Sequence, residues 1–525
     1  MLKKQETYPL QALPFFSSIF LDYILGKEPL GDFYLHRAEI KSFEYVLQNK
    51  SFPNENRSIL QNVLQEQYQD LNKNSKVIQN IHLLSQTNTF TVTTAHQPSI
   101  FFGELYFVFK TLSTIRLAEQ LQRQYPNFHF VPVFWLGSED HDFAEISRFR
   151  LFGKQYQWQQ QEQGAVGRMN PKELGRILEE IPEKEIIFQQ AYQKNTLAKA
   201  TQYALNAFFG EKGLLVIDGD CRKLKKLFAP IIQDELLQSN TFEIIEQTNT
   251  QLAALGYKAQ AKPRPINLFY LDEQLRKRIV KNENNFEVLE TKKVFSKKEI
   301  HQEIAEYPER FSPNALLRPI YQEVVLPNLA YIGGPGELAY WLQLKRTFQY
   351  FSSIIPYLQM PVLVPRYFGA ILQKNQIEKM EKLQVTFSDL WQDADLLRKK
   401  YITTHSDKEL SLYKEIKKLE DVFKEIKQKA TEIDKSLEAS VAAEWQKIIK
   451  NLENLEKRIQ KAEERKKEQE IMQILALKEK IFPEGKLQER QDNFLNFYLN
   501  YPTFLEDLYQ NIQAFKFDFE VLAIE

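Results

Sequence analysis

Four consecutive ionisable side chains, Glu139, Asp140, His141 and Asp142, follow the apolar run 128–136. Carboxylates and an imidazole this close together shift one another's pKa values and can hold a metal ion or a cationic amine. A solvated turn in which one Asp caps a helix would also explain them. Because the cluster lies where a predicted strand ends, we favour a catalytic role for Asp140, His141 and Asp142 and a substrate contact for Glu139. Asp140 and His141 would position an amine or accept its proton.

A second candidate is the motif Thr94-Ala95-His96-Gln97, which follows the β-rich run 89–94 and precedes Gly103 and a helical pattern from residue 105. The first turn of a helix presents free N–H groups and a positive dipole end, which suit a phosphate. His96 could donate a proton to a polyphosphate, or it could cap a turn. We expect His96 to be catalytic and Thr94, Gln97 and Gly103 to contact a nucleotide.

The third candidate is a glycine-rich stretch that contains Gly333, Gly334, Gly336 and Glu337. Glycines let a backbone approach a ligand closely, and a helix is predicted to start near Glu337. The stretch matches neither a Walker A motif nor a GxGxxG fingerprint. A phosphate-cradling loop and a plain helix-start turn both fit, and we assign these four residues to nucleotide binding.

Two further residues, Arg318 and Tyr321, are predicted to bind substrate. An arginine can clamp a carboxylate or phosphate with two hydrogen bonds, although Arg318 could equally pair with Glu323 inside the fold. The single cysteine, Cys221, has no histidine near it in sequence and is not expected to act as a nucleophile.

The elements that must position these residues are strands separated by helices. Runs near 90–94, 129–136 and 213–217 are predicted to lie side by side, and residues 352–365 are predicted to form the last core strand. This alternation indicates an α/β core with a Rossmann-like, doubly wound parallel sheet. The core would span residues 1–372, with insertions near 150–210 and 257–300. We expect one pocket in which His96, Asp140, His141 and the glycine-rich stretch meet at the carboxyl ends of the strands.

Residues 373–482 are rich in Lys, Glu, Gln and Leu, and this region is predicted to be a helical coiled-coil arm. Ile426, Ala430, Ile433 and Leu437 step by four, three and four residues, which is coiled-coil spacing. A homodimer held partly by this arm is therefore expected. Residues 483–525 are predicted to pack back on the core.

Composition narrows the class of protein. Lys+Arg and Asp+Glu balance at 69 each, which does not favour nucleic-acid binding. One cysteine allows neither a disulfide framework nor a cysteine zinc cluster, and no metal site is predicted. The basic N-terminus lacks the apolar segment of a secretory signal, and no run of apolar residues is long enough to cross a bilayer. A cytoplasmic protein without a membrane partner is expected.

Taken together, the motifs resemble the BshC family, the cysteine-adding enzymes of bacillithiol biosynthesis, over nearly the full length. The matching stretches are 94–97, 103–107, 131–142, 256–260, 314–323, 331–341 and 487–490. The resemblance implies a core related to class I aminoacyl-tRNA synthetases and nucleotidyltransferases, with inserted connecting segments and a dimerising coiled coil. It also implies a ligase that joins cysteine to glucosaminyl malate, with ATP or ADP as nucleotide and Mg²⁺ as a possible companion.

The chain departs from the family pattern near the second candidate. Ala95 replaces a usual glycine, Glu104 follows Gly103 where the family usually has proline, and many relatives carry glutamine in place of His96. A Lys-Met-Ser-Lys-Ser-like loop, which synthetases use on phosphates, is not visible. The alternative function is therefore a non-catalytic, nucleotide-binding dimeric scaffold.

Overall fold

A computed structural model of the chain describes residues 1–71, 74–181, 185–406 and 409–525. These residues form two units. The first comprises Met1–Ile371 together with Gln488–Glu525, and the second comprises Leu372–Leu487. The sequence therefore leaves the first unit once and returns to it.

The strands of the described residues are β1 (Leu2–Pro9), β2 (Thr89–His96), β3 (His129–Leu136), β4 (Arg148–Leu151), β5 (Lys154–Gln157), β6 (Leu215–Asp218), β7 (Leu268–Asp272), β8 (Leu275–Asn282), β9 (Asn285–Val288), β10 (Val294–Ser296), β11 (Phe311–Pro313), β12 (Asn328–Gly333), β13 (Val362–Pro365), β14 (Phe368–Gln373) and β15 (Asp518–Ile524).

The α-helices of the same residues are α1 (Ser18–Ile24), α2 (Ser42–Asn49), α3 (Asn54–Gln67), α4 (Ser75–Leu83), α5 (Tyr106–Gln124), α6 (Phe143–Ile146), α7 (Leu174–Glu180), α8 (Ile186–Ala191), α9 (Leu197–Phe209), α10 (Arg222–Leu237), α11 (Asn240–Ala254), α12 (Lys297–Glu306), α13 (Arg318–Val325), α14 (Pro335–Trp341), α15 (Lys345–Ser352), α16 (Lys374–Leu383), α17 (Phe387–Leu390), α18 (Ala394–His405), α19 (Tyr413–Ile433), α20 (Leu437–Lys466), α21 (Glu468–Ile481), α22 (Leu495–Tyr498) and α23 (Phe504–Asn511).

The central sheet of the first unit is parallel and has the order β13-β12-β2-β3-β6. Its strands are almost entirely buried, as is typical of a parallel sheet that is covered on both faces, although β2 is rich in threonine. The predicted neighbours β2, β3 and β6 are confirmed, and so is β13 as a core strand. β12 was missed, since its last residues had been interpreted only as part of a glycine loop.

The order of the strands reverses between β2 and β12. From β2 the chain proceeds through β3 to β6 on one side, while β12 and β13 lie on the other. In open α/β sheets a crevice for ligands opens at such a switch point, outside the carboxyl ends of the strands. The second candidate, residues 94–97, lies at the end of β2, and the third, the glycine-rich stretch, begins at the end of β12. These two strands flank this crevice.

The register places three strand ends at one level. His96 at the end of β2 pairs with Leu136 of β3, which pairs with Asp218 of β6. Parallel strands lie about 4.8 Å apart, so His96 and Asp218 are separated by one strand along the same edge. Side chains and loops beyond these positions therefore face a common space.

The two predicted insertions have their own structure. The region near 150–210 contains the β4–β5 hairpin and the helices α7, α8 and α9, apart from the undescribed residues 182–184. The region near 257–300 belongs to an antiparallel sheet of order β10-β9-β8-β7-β11. A third sheet, β1-β15-β14, pairs the strand at Leu2–Pro9 with the strand at Asp518–Ile524.

The second unit is helical, and α19 and α20 form its hairpin. No residue of either helix is buried, although the Phe423 and Trp445 rings pack at 5.0 Å. The predicted heptad run through Ile433 and Leu437 is interrupted, because α19 ends at Ile433 and α20 begins at Leu437. The apolar spacing on both sides of this turn belongs to two consecutive helices, not to one. None of the described helices has the length and apolar character needed to cross a bilayer.

Candidate functional site at the carboxyl edge of the parallel sheet

The loop between β2 and α5 is held in an unusual backbone conformation. Gly103 has φ 59° and ψ −129°, which a residue with a Cβ rarely adopts, and Phe101 and Phe102 also have positive φ. The Asn493 side-chain amide donates to the Phe101 carbonyl at 2.9 Å and also to the Gly103 carbonyl. The predicted nucleotide residue Gly103 thus shapes this loop.

His96 uses both ring nitrogens inside the fold. Its Nδ1 lies 3.0 Å from the Gln97 carbonyl and its Nε2 lies 2.9 Å from the Tyr106 hydroxyl. A carbonyl only accepts, so Nδ1 donates and Nε2 accepts from Tyr106. Burial, assisted by the charge of Lys110, lowers the pKa of His96 to about 4. The imidazole is therefore neutral at pH 7 and orients Tyr106.

A buried lysine closes the base of the crevice. The Lys110 ammonium of α5 donates to the Ala95 carbonyl at 2.5 Å and to both Glu337 carboxylate oxygens at 2.8 and 2.7 Å. Thr94 adds a hydrogen bond from its hydroxyl to the Ile332 carbonyl of β12 at 2.9 Å. These contacts fasten β2 to β12 and α14. Sequence reasoning missed Lys110, although a lone lysine in the apolar stretch 105–112 was the available signal.

Glu337 caps its own helix. Its carboxylate accepts from the Gly334 N–H at 2.9 Å and from the Tyr331 hydroxyl at 2.7 Å. Burial acts to raise the pKa of Glu337, but Lys110 and these donors lower it to about 2. An anion that approached the Gly334 N–H would have to displace this carboxylate. The alternative of a helix-start turn thus describes the observed contacts of Glu337 and Gly334.

The remaining glycines of this stretch differ in their surroundings. A Cβ on Gly333 would lie 2.6 Å from Leu338 Cδ2, so close packing requires glycine there. A Cβ on Gly336 would meet only the Gln260 amide at 3.7 Å. Packing therefore explains Gly333, whereas nothing in the packing requires Gly336.

The other side of the edge is rich in carboxylates, and most of them have a cationic partner. Glu139 accepts from the fully buried Lys225 ammonium at 2.6 Å. Asp140 lies 3.5 Å from Arg276 and accepts from the Gln97 amide at 2.8 Å. Burial opposes its ionisation, yet Arg276, the Gln97 amide and the His141 backbone N–H hold the pKa of Asp140 well below its usual value. Asp140 is thus a weak base.

His141 and Asp142 have structural contacts as well. The Nδ1 atom of His141 lies 2.6 Å from the Arg276 guanidinium, which can only donate, so Nδ1 accepts. Asp142 is exposed and caps α6 by accepting from the Glu145 N–H at 3.2 Å. The capping alternative that the sequence left open describes Asp142.

Asp218, which the sequence interpretation passed over, is the exception on this side. Its Oδ1 accepts from the Ser138 hydroxyl and from the Asp220 N–H at 2.9 Å. Within the described part of the chain, Oδ2 makes no hydrogen bond. Burial, together with the nearby Asp220, raises the pKa of Asp218 to about 7. The signal was present, because Asp218 ends a predicted strand as His96 does.

Arg318 and Tyr321 both lie in α13, of which Arg318 is the first residue. The Arg318 guanidinium donates to Gln322 at 2.9 Å rather than pairing with Glu323. Tyr321 is fully buried and donates to the Gly219 carbonyl at 2.7 Å. Its burial makes Tyr321 a support for the turn after β6, which argues against the predicted direct substrate contact.

Gln97 joins the two sides of the edge. Its amide donates to Asp140 at 2.8 Å and to Glu145 at 2.9 Å, so the loop after β2 touches the loop after β3. The charges of Asp140 and Glu337 both act on His96. The structure thus brings together three of the predicted clusters along one edge. Among the described residues, no group of three His, Cys, Asp or Glu side chains is arranged to hold a metal ion.

Comparison with known proteins identifies this architecture. Residues 4–367 match the model described as "Bacillithiol biosynthesis BshC, N-terminal Rossmann-like domain", and residues 370–524 match "Bacillithiol biosynthesis BshC, C-terminal coiled-coil domain". The chain belongs to the BshC family. The Rossmann-like fold class and the coiled-coil region predicted from the sequence are thereby confirmed.

Curated BshC relatives are similar over the whole length. A protein of Cytophaga hutchinsonii is 40% identical over 99% of both chains, and one of Flavobacterium johnsoniae is 36% identical over 98% of both. One of Chloroherpeton thalassium is 32% identical over 95% of both. Each of these BshC proteins is named "Putative cysteine ligase BshC".

Proposed function

We propose that this chain is an amide-forming ligase that joins the carboxyl group of cysteine to the amine of glucosaminyl malate in bacillithiol biosynthesis. The names of its BshC relatives support the cysteine and ligase parts of this proposal. The observation that carries it in the structure is the contact of Gln97 with Asp140 at 2.8 Å, which joins the β2 and β3 loops at one edge. We propose that the enzyme acts in the cytoplasm.

Amide formation from a free carboxylate in water is uphill, so the carboxyl group must first be activated. A bound nucleotide, ATP or ADP, would supply that activation when present, together with Mg²⁺ bound to its phosphates. One unsatisfied donor supports the binding of such an anion. Lys110 and Arg366 are buried and paired with Glu337 and Glu489, but the Arg366 Nε atom has no hydrogen-bond partner among the described residues. Thr94, Gln97 and Gly103 would border the nucleotide through the β2–α5 loop.

His96 contributes by positioning under this proposal. Because it is neutral and accepts from Tyr106, it fixes the direction of the Tyr106 hydroxyl without adding charge. A positioned neutral donor next to the crevice can stabilise charge that develops on a phosphate or carbonyl oxygen. For this role, the Tyr106 hydroxyl must exchange its hydrogen bond to His96 for one to the ligand when the ligand binds.

On the side of β3 and β6, Asp218 is the group suited to take a proton from the amine. A general base works best when its pKa lies near the working pH, and the pKa of Asp218 is raised to about 7. The new bond joins the amine nitrogen to the carboxyl carbon of cysteine, the bond from that carbon to the activated oxygen breaks so that this oxygen would leave on the phosphoryl group of the nucleotide product, and the nitrogen loses one proton to Asp218. Asp140 keeps Gln97 and Arg276 in place rather than accepting this proton.

The test is turnover by purified protein with ATP, cysteine and glucosaminyl malate, with bacillithiol measured by mass spectrometry. Product should form only when all three are present. Nucleotide binding with no product would support the scaffold function instead, which the internal pairing of His96 and Glu337 also allows.

We also propose that the coiled-coil unit makes the protein a homodimer. Val422, Ile426 and Leu455 of α19 and α20 are 50%, 42% and 46% exposed, which a single chain leaves uncovered. Burying aliphatic side chains of this size contributes about 1–3 kcal/mol each. Light scattering should show a dimer that Ile426→Glu with Leu455→Glu dissociates, while the matched surface change Lys429→Glu does not. A wild-type monomer at micromolar concentration would overturn this proposal.

A further inference from the structure

The segment that returns to the first unit after the second unit, Gln488–Asn493, is fixed at both ends. The Gln488 side chain exchanges two hydrogen bonds with the backbone of Ile371, at 2.8 and 3.0 Å. At the other end, Asn493 is fully buried and donates to the Phe101 and Gly103 carbonyls. The Leu105 N–H also donates to the Asp492 carbonyl at 2.7 Å. This segment therefore braces the β2–α5 loop.

Within this segment, Glu489 is fully buried and pairs with Arg366. The carboxylate lies 2.5 Å from the guanidinium, and it also accepts from the Gly369 N–H at 3.2 Å. Breaking a buried pair of this kind leaves a charge without a partner in a poorly solvated place. The pair fixes the Arg366 side chain beneath Gly334, where a Cβ would lie 3.6 Å from Nε.

Tyr106 links this pair to the site. Its ring lies against two guanidinium groups, that of Arg366 at 5.3 Å and that of Arg490 at 5.7 Å. Its hydroxyl bonds His96 at 2.9 Å. The stacking on the ring keeps both cations close to the end of β2.

Arg490 differs from every other cation of this edge that has been described above. Its side chain is exposed, and within the described residues it makes neither an ion pair nor a hydrogen bond, although its charge acts on the Glu104 carboxyl group. Lys110, Lys225 and Arg276 are all buried and paired with carboxylates. A guanidinium on a braced segment, with its five donors unused, presents a preorganised surface to an oxyanion.

We propose that Arg490 binds an oxyanion of a ligand in the crevice, either a phosphate of the nucleotide or a carboxylate of the amine substrate. This inference rests on the proposed function, because it takes these two ligands from it. It also assigns part of the site to the segment Gln488–Asn493, which follows the coiled coil in the sequence. Residues 1–371 alone would lack both Arg490 and Glu489, the partner of Arg366.

The experiment is isothermal titration of the full-length protein with ATP and, separately, with glucosaminyl malate. The variants are Arg490→Gln, Arg490→Lys and the control Arg123→Gln, which removes an arginine that is 69% exposed on the distal end of α5. We expect Arg490→Gln to weaken one of the two ligands by about tenfold or more, as loss of a bidentate charged contact does. Arg490→Lys should recover part of the affinity, and Arg123→Gln should match wild type.

The ligand that weakens identifies the oxyanion as phosphate or as carboxylate. If Arg490→Gln bound both ligands with wild-type affinity, the proposed role of Arg490 would be overturned and the proposed function would stand. If the wild-type protein bound neither ligand, both the proposed role of Arg490 and the proposed function would be contradicted. Thermal denaturation of each variant, expected to match wild type because Arg490 is exposed, checks that the fold is intact.

Discussion

The two sides of the sheet edge differ in how their carboxylates are neutralised. On the side of β2 and β12, one carboxylate, Glu337, is fully neutralised by Lys110. On the side of β3 and β6, Glu139 and Asp140 have cationic partners, while Asp218 forms no ion pair among the described residues and its neighbour Asp220 is paired with Arg168. The first arrangement leaves no uncompensated carboxylate, and the second retains one group able to exchange a proton near pH 7. The comparison indicates that one edge performs two different tasks.

The largest effect is expected on the proton-accepting side. Asp218→Asn should lower kcat by about 10²–10⁴ while ATP affinity stays unchanged, since it removes a general base. In the wild type, kcat/KM should fall as the pH decreases below about 7, because Asp218 then becomes protonated. Steady-state kinetics across pH 5.5–8.5, a range of about one and a half units around neutrality, provides the measurement.

The matched control is Asp142→Asn, an exposed helix cap four residues from Ser138, which should keep the wild-type kcat. Folding provides a second control. A carboxyl whose pKa is raised in the folded state loses stabilisation as the pH rises through that range, so Asp218→Asn should not lower Tm at pH 8. If Asp218→Asn and Asp142→Asn lost activity equally, Asp218 could not be distinguished as the proton acceptor.

On the side of β2 and β12, Lys110→Met should destabilise the fold by about 3–5 kcal/mol, because it leaves Glu337 buried without its counter-ion. Urea unfolding measures the change. The double variant Lys110→Met with Glu337→Gln should recover most of the loss. If the single variant is as stable as wild type, the pair does not hold the crevice together.

Within the glycine stretch, Gly333→Ala should cost about 1–3 kcal/mol, since its methyl group would collide with Leu338. Gly336→Ala meets only the end of Gln260 and should leave Tm unchanged. Thermal denaturation of the two variants compares them directly. A loss of ATP affinity in Gly336→Ala at unchanged Tm would show that this glycine contacts the nucleotide.

The smallest effect concerns His96. His96→Ala should weaken ATP binding by about tenfold, as expected when one hydrogen-bonded donor loses its position. Asp140→Asn should spare ATP binding and lower bacillithiol formation, because Asp140 holds Gln97 and Arg276 on the other side. Titration calorimetry paired with turnover separates the two. The reverse pattern would exchange the tasks assigned to the two sides.

The sequence was informative where one chain segment specifies its own structure. Apolar runs predicted β2, β3, β6 and β13, and the rule that ligands gather at strand ends directed attention to His96 and Asp140. β12 ends at Gly333 and continues directly into the glycine-rich stretch, so the turn signal concealed it. The coiled-coil region was predicted, but the turn after Ile433 was not, because the spacing of apolar residues continues across it.

Residues whose role depends on distant partners could not be predicted in this way. Lys110 is a site residue only because β12 and α14 bring Glu337 to it. Arg490 reaches Tyr106 from 384 positions along the chain, the difference between their two numbers, and no local pattern records that return. The full burial of Tyr321 could not be predicted for the same reason, because burial is decided by the packing of the whole unit.

The central claim is that a nucleotide activates the carboxyl group of cysteine at this edge before the amine attacks. The direct measurement is turnover with cysteine labelled with ¹⁸O in its carboxyl group, followed by mass spectrometry of the phosphorus-containing products. If the carboxyl oxygen bonds to phosphorus during activation, it leaves with the phosphoryl product when the amide forms, so one ¹⁸O should appear there for each bacillithiol made. Formation of bacillithiol with no label in any phosphate or nucleotide product would contradict the account.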